Sequence, residues 1–181
     1  VTVASALDGV QPGDVLVVRT KSPWGRWIRL GAWLSGKPST VDHVAVVHHR
    51  DDAGIWWAIE GRPGGVGWVD IARYDSPFVV SNAEQPKTDE QRKLVCDLAD
   101  DLLKRPYDWS AIAVDAFESL RVGALWASKD YGDEAPGQVV CSSLAAWVYK
   151  RAGLAGPAKR IRWVVPADWA IHCQSKAWLR G

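Results

Sequence analysis

Apolar positions along this sequence change their period several times, and the changes mark out its elements. Val15-Leu16-Val17-Val18 is a continuous apolar run behind the turn signal Pro12-Gly13-Asp14, the pattern of a buried strand. Between Ser22 and Ser35 the period turns helical, with Trp24, Trp27, Ile28 and Leu34 at helical spacing. This predicts a short amphipathic helix, for which core packing and an interfacial or substrate-lining role both stay open. Three strands are expected next, at His43–His49, Ile55–Glu60 and Val66–Ile71. Their separators, Asp51-Asp52-Ala53-Gly54 and Gly61-Arg62-Pro63-Gly64-Gly65, are short enough for antiparallel neighbours. Phe78–Ser81 reads as a further strand.

From Thr88 the helical period returns. Thr88 and Gln91 have the spacing of a capping box, and Leu94, Val95, Leu98 and Leu102 share a face, which leaves Cys96 off it as a bystander. Pro106 is expected to end that helix. A second helix is expected from Asp108 to about Leu120, followed by a Gly-rich irregular stretch, Val122 to Gln138, which is a candidate lid or insertion. A third helix should start near Cys141 and stop at Gly153, where a positive φ suits glycine. Pro157 to Pro166 reads as a connection with a short strand, and Ala167 to Cys173 as a short helix. No repeat, linker or low-complexity segment divides the 181 residues, so one domain spanning 1–181 is expected.

Composition narrows the function classes. With 48% hydrophobic and 24% charged residues and a net charge of +1, the chain has the make-up of a soluble globular protein. Lys and Arg are scattered among Asp and Glu with no basic stripe, so nucleic acid is not an expected partner. Apolar runs are strand-sized, far below the roughly 20 residues of a membrane helix, and no signal peptide is visible. Twelve Trp and no Met are unusual. Some of the Trp near Gly or Pro, such as Trp24, Trp68 and Trp163, are candidates for a cleft, although aromatic residues commonly pack a core. Cys96, Cys141 and Cys173 cannot all pair with one another and lack zinc-type spacing, so a free thiol is expected, with no metal and no cofactor.

One of those thiols has chemistry to offer. Leu144, Ala145, Val148 and Ala152 share the side of Cys141, which places the thiol in the first helical turn facing the body of the domain. A helix N-terminus favours negative charge, the nucleophile is the thiolate, and the small neighbours Ser142, Ser143 and Ala146 leave room for a substrate carbonyl. Backbone N–H groups there are suited to stabilising an oxyanion. A buried Cys acting as a small hydrophobe is the plain alternative. His43, sharing a strand face with Ala45 and Val47, is the matching base, with a structural histidine as its alternative. Glu60, on the face of Trp56 and Ala58, is placed to hold the imidazole, or else is a solvated acid before a turn. Asp42 is the reserve carboxylate, turned to the opposite face by alternation. His48 and His49 look like strand-end surface residues, and His172 has no evident partner.

Four pieces of sequence, in order, resemble the NlpC-type superfamily of papain-like cell-wall peptidases in its circularly permuted, YiiX-like branch. They are Pro12-Gly13-Asp14-Val15-Leu16-Val17; Asp42-His43-Val44-Ala45-Val46-Val47; Ala58-Ile59-Glu60 with its Gly-Gly-Val turn; and Arg105-Pro106-Tyr107-Asp108-Trp109 leading to Val140-Cys141-Ser142-Ser143-Leu144. The Cys module follows the His strand here, the order of the permuted branch. The resemblance implies an α+β, papain-like, circularly permuted fold in which an antiparallel sheet packs against the helix bearing the nucleophile. It also implies Cys141 as nucleophile, His43 as base, Glu60 as its orienting partner and Tyr107 near the oxyanion or substrate subsite. Trp109 and Ser142 are further candidates for substrate binding.

The function expected on these grounds is a cysteine peptidase or amidase that cleaves an amide bond through an acyl-enzyme, most plausibly in bacterial peptidoglycan fragments. For the setting, the bacterial envelope, a phage particle and the cytoplasm all stay open. Two alternatives stay open: a lipid-directed thiol acyltransferase or hydrolase, and a catalytically inactive binding module.

Overall fold

A computed structural model describes residues 9–34, 39–74, 78–81, 88–109, 135–157, 160–175 and 179–180. In chain order the elements are β1 (Val15–Val18), α1 (Pro23–Leu34), β2 (His43–Arg50), β3 (Trp56–Arg62), β4 (Gly65–Asp70), β5 (Phe78–Ser81), α2 (Asp89–Asp100), α3 (Cys141–Arg151), α4 (Pro166–Ser175) and β6 (Leu179–Arg180). The architecture is α+β. Among the described residues six strands form one antiparallel sheet in the order β4-β3-β2-β1-β5-β6.

Both faces of the sheet are covered, which explains why β1 and β2 read as unbroken apolar runs. Val15, Val17, Val44, Val46 and Ile59 point to one side, where Val95 and Ala99 of α2, Leu144, Ala145 and Val148 of α3, and Trp169 and Cys173 of α4 close the main core. Leu16, Val18, Ala45, Val47, Ala58 and Val69 point to the other side and meet Val10, Ile71 and Tyr74. Tyr74 reaches that face because Ile71–Arg73 is a 3₁₀ turn that carries the chain back over the sheet. β5 enters beside β1, and the two-residue β6, which the sequence pattern does not announce, pairs with it.

Several boundaries differ from the sequence expectation. β3 runs two residues past Glu60, through Gly61 and Arg62, because the reversal into β4 is made at Pro63-Gly64 with Gly65 at φ 103°. The strand expected to run to Ile71 stops at Asp70, whose side chain caps the 3₁₀ turn by accepting from Ala72 N–H. Thr88 caps α2 through the reciprocal bonds with Gln91. That helix is rotated from the expected face, however. Val95, Cys96 and Ala99 are buried and Leu94 is 42% exposed, so Cys96 belongs to the packed side against β2. Its thiol lies 3.6 Å from the His48 carbonyl oxygen.

α2 ends at Asp100, before Pro106. Lys104 adopts φ 65°, and the Lys104 and Arg105 backbone bonds with Val66 draw the chain onto the start of β4. The helix expected over Asp108–Leu120 and most of the irregular stretch 122–138 lie outside the described residues from 110 to 134. Val139 bridges in parallel to Tyr107 just before α3. The strand expected within Pro157–Pro166 is instead a 3₁₀ turn at Ile161–Trp163, closed by bonds from Trp163 to Arg160 and from Val164 to Ile161. α3 begins at Cys141, and Gly153 just beyond it has φ 69°.

Candidate active site

Cys141 is the first residue of α3, behind Val140 in extended conformation, and is only 3% exposed. The helix start is held in place from two sides. Ser142 donates from Oγ to the Val164 carbonyl at 2.5 Å and accepts from Trp169 Nε1 on its own carbonyl at 3.1 Å. On the other side Gly61 of β3 touches the helix backbone: a Cβ at position 61 would stand 3.1 Å from both Cys141 N and Val140 C. A side chain there would push α3 off the strand. Glycine is what lets the N-terminal turn, with its unpaired N–H groups and positive dipole end, rest on β3.

His43 opens β2. Ala45 is registered opposite Glu60, so two-residue alternation puts His43 and Glu60 on the same face at neighbouring strand positions. His43 Nε2 lies 2.5 Å from Glu60 Oε2. That leaves Nδ1 for the sulfur of Cys141, which stands as the hydrogen-bonding and charge partner of the ring. Sulfur, imidazole and carboxylate thus form a line.

The electrostatics follow from this line. Burial alone would lower the pKa of His43, but the neighbouring Cys141 thiolate and then the Glu60 carboxylate outweigh it and raise the ring to about 10. Burial alone would raise the pKa of Cys141. The charge and hydrogen bond of His43, with a further bond from the Val44 N–H, overcome burial and hold the thiol below its ordinary value. Each of the two groups therefore favours the charged form of the other. Cys96 is the opposite case: burial, with Asp100 and Asp97 nearby, pushes its thiol up to about 11.

Glu60 has two further partners that the sequence pattern did not suggest. Tyr74 donates its hydroxyl to Glu60 Oε2 at 2.5 Å, and Arg62 lies with Nη1 3.3 Å from Oε1. Burial would raise the pKa of this carboxyl, but the bonds and charge of His43, then Tyr74 and Arg62, hold it lowered and ionised. Tyr74 titrates well above its usual range because it is buried beside that negative charge. Arg62 was findable, since it stands two residues along the same strand as Glu60. Tyr74 was not, because its approach depends on the 3₁₀ turn.

The remaining candidates separate. Tyr107 is buried against Val140, one residue before the thiol, and Trp109 packs edge-on against it with ring centroids 5.2 Å apart. Trp109 is 47% exposed, so it faces solvent at the helix start beside the buried Tyr107. Asp108 between them turns inward to Arg162, at 3.2 Å. Ser142 does not open to a substrate, because its hydroxyl is buried in the bond to Val164. Asp42 faces away from His43, as alternation requires: it accepts from Thr20 N–H at 2.8 Å and is ion-paired with Arg29. His48 and His49 pack edge-on against Trp68 near the surface, and His48 reaches Asp100 at 3.2 Å. His172, without an evident partner in the sequence, packs edge-on against Trp169. No disulfide joins Cys96, Cys141 or Cys173.

No protein-family model matches the sequence. No curated protein matches it either. Among solved structures, the chain is similar to the crystal structure of the metalloprotein yiiX from Escherichia coli O157:H7, with 18% identity and a TM-score of 0.55. The likeness covers 78% of this chain and 66% of that one, so this chain spans just under two thirds of that protein's length. At this identity the shared property is the fold, an α+β arrangement of the YiiX-like type.

Proposed function

We propose that the protein is a thiol hydrolase that cleaves an amide bond through an acyl-enzyme, on a circularly permuted papain-like domain spanning the whole chain. The observation that supports this reading best is the line from Cys141 through His43 to Glu60, in which the thiol is lowered, the imidazole raised and the carboxylate ionised. A buried Cys serving only as packing needs neither a charged partner nor a helix N-terminus.

In this reading the Cys141 thiolate attacks the carbonyl carbon, and the oxyanion that forms is met by N–H groups of the first turn of α3. The C–N bond breaks as the His43 imidazolium gives its proton to the departing amine. Water then enters, His43 takes one of its protons, and the C–S bond breaks to release the acid and restore the thiolate. Glu60 positions the ring and stabilises its charged form, and Tyr74 and Arg62 position Glu60. Tyr107 and Trp109 border the substrate groove, while Ser142 braces the helix start. The substrate class proposed is the peptide portion of bacterial peptidoglycan.

The Escherichia coli neighbour is described as a metalloprotein. In this chain no group of three or more His, Cys, Asp or Glu side chains among the described residues is arranged to hold a metal ion. No step is assigned to a metal here.

Mass spectrometry of purified peptidoglycan fragments after incubation tests the proposal. New amine and acid termini are expected with the native protein and none with Cys141→Ala. Unchanged fragments with both proteins would remove the cell-wall substrate, and equal cleavage by both would remove Cys141 as nucleophile.

A further inference from the structure

The net charge of +1 conceals a local imbalance. Between Asp14 and Asp42 the sequence carries Arg19, Lys21, Arg26, Arg29 and Lys37 and no acidic residue. α1 lies in this stretch, and its rotation is fixed by Asp42. A Cβ on Gly25 would meet Asp42 Oδ2 at 2.6 Å and Thr20 Oγ1 at 2.7 Å, so the helix seats its glycine directly on that carboxylate. Arg29 is ion-paired with Asp42 from the same helix. With Gly25 turned inward, Arg26, Leu30 and Trp33, spaced i, i+4 and i+7, share one flank of the helix. All three are exposed, Leu30 by 42% and Trp33 by 64%. Arg19 and Lys21 are exposed just before the helix. The guanidiniums of Arg19 and Arg26 stand near enough to Arg29 to help burial lower its pKa, so the cations form a cluster.

An exposed tryptophan and leucine beside a cluster of cations have a specific complement. A soluble polyanion would use the guanidiniums but has no place for Trp33 and Leu30. An apolar protein groove would use the two apolar side chains but would have to bury the cations beside them without counter-charge. An anionic bilayer uses both, since indole and leucine enter the boundary between headgroups and acyl chains while the guanidiniums stay at the lipid phosphates. We infer that α1 is a docking surface for an anionic lipid bilayer, with Leu30 and Trp33 inserted and Arg19 and Arg26 on the headgroups. Asp42, which seats the helix, directly precedes His43, so docking would hold the thiol site beside the membrane. The inference rests on the surface of α1 and does not depend on the activity proposed for Cys141.

Vesicle flotation of the full chain tests it, using phosphatidylcholine vesicles and vesicles of equimolar phosphatidylcholine and phosphatidylglycerol at low and high salt. The protein is expected to float with the anionic vesicles at low salt, weakly with them at high salt, and not with phosphatidylcholine alone. Arg19→Gln with Arg26→Gln should weaken partition by roughly 25-fold, at about fivefold for each cation removed near the surface. Trp33→Ala should weaken it several-fold without changing its salt dependence. Lys150→Gln, on the exposed end of α3, is the control for net charge and should leave binding within about twofold of native. Circular dichroism checks that each variant is folded, and Leu30→Ala serves if Trp33→Ala is not. Failure to float, equal flotation with neutral vesicles, or a loss with Lys150→Gln matching that of Arg26→Gln would overturn the inference. So would binding indifferent to Trp33 and Leu30 and displaced by short polyphosphate, which would mark a soluble polyanion site instead.

Discussion

Gly61 and Cys141 are in backbone contact: the first amide of α3 lies so close to the strand that a Cβ at position 61 would stand 3.1 Å from it. The contact ties the helix that begins with Cys141 to the strand that carries Glu60, one residue away. Gly61→Ala should therefore shift the helix start by a few tenths of an ångström. Its cost should be about 1–3 kcal/mol, the usual range for overpacking a well-fitted site. Urea denaturation reads the stability loss, and the alkylation rate of Cys141 should fall with it. An unchanged rate would mean that the helix position is set elsewhere.

Selective thiol reactivity at mildly acidic pH is the second expectation. Cys141 is lowered and Cys96 is raised to about 11, so iodoacetamide at pH near 6 should label Cys141 well ahead of Cys96. A thiolate is lost as pH falls through its pKa, so His43→Ala, which removes the positive partner, should move the alkylation profile to higher pH. Peptide mapping by mass spectrometry checks both statements. Equal labelling at that pH, or a Cys141 profile indifferent to His43, would leave an inert site.

The third concerns the titration of His43. With a folded pKa of about 10, the ring is charged through the neutral range. Its contribution to stability is full below its ordinary value of about 6.5 and is lost as pH rises toward 10. Imidazole NMR should show a resonance that titrates only in the alkaline range. In Cys141→Ala the thiolate is gone and burial gains weight, so that resonance should titrate at lower pH.

Glu60→Gln and Tyr74→Phe separate positioning from packing. The amide keeps the shape of Glu60 and loses the charge that favours imidazolium, so turnover should drop by about 10- to 100-fold, the worth of a charge-assisted hydrogen bond of about 1.5–3 kcal/mol. Tyr74→Phe removes one donor to the same oxygen and should raise the Glu60 pKa, moving the acid limb of the pH–rate profile upward. A purely structural Tyr74 would alter the melting temperature and leave that limb in place.

Ser142→Ala should do the reverse. Removing the buried bond to Val164 is expected to cost about 1–3 kcal/mol in denaturant unfolding, with the alkylation profile of Cys141 unchanged. A loss of reactivity without a loss of stability would place the hydroxyl at the thiol instead of in the brace.

The strands and α3 were legible because their signals are local. Val15–Val18 and His43–Val47 are apolar runs bounded by turns, and Cys141 begins a run of small and apolar residues that ends at a glycine. The proximity of His43 and Glu60 was legible too, since alternation along two adjacent strands fixes which side chains share a face. The misjudged features depend on contacts distant in sequence. The rotation of α2 that buries Cys96 and exposes Leu94 is decided by β2, and the turn at Ile161–Trp163 sits where the brace to Ser142 is made. Tyr74 comes to Glu60 through a 3₁₀ turn whose sequence, Ile71-Ala72-Arg73, could as well have continued the strand. The cation cluster around α1 vanished in a whole-chain charge near zero.

The order in which the site's parts occur along the chain has a consequence for the protein's own synthesis. His43 and Glu60 lie on neighbouring strands joined by a short reversal, and both leave the ribosome well before Cys141. At about 5–20 residues per second the interval between Glu60 and Cys141 is several seconds. The thiol acquires its charged partner only when α3 docks across Gly61, so an incomplete chain carries an ordinary, mostly protonated cysteine. On the role proposed for Cys141, its reactivity waits for α3 to dock, and the nascent protein is spared it.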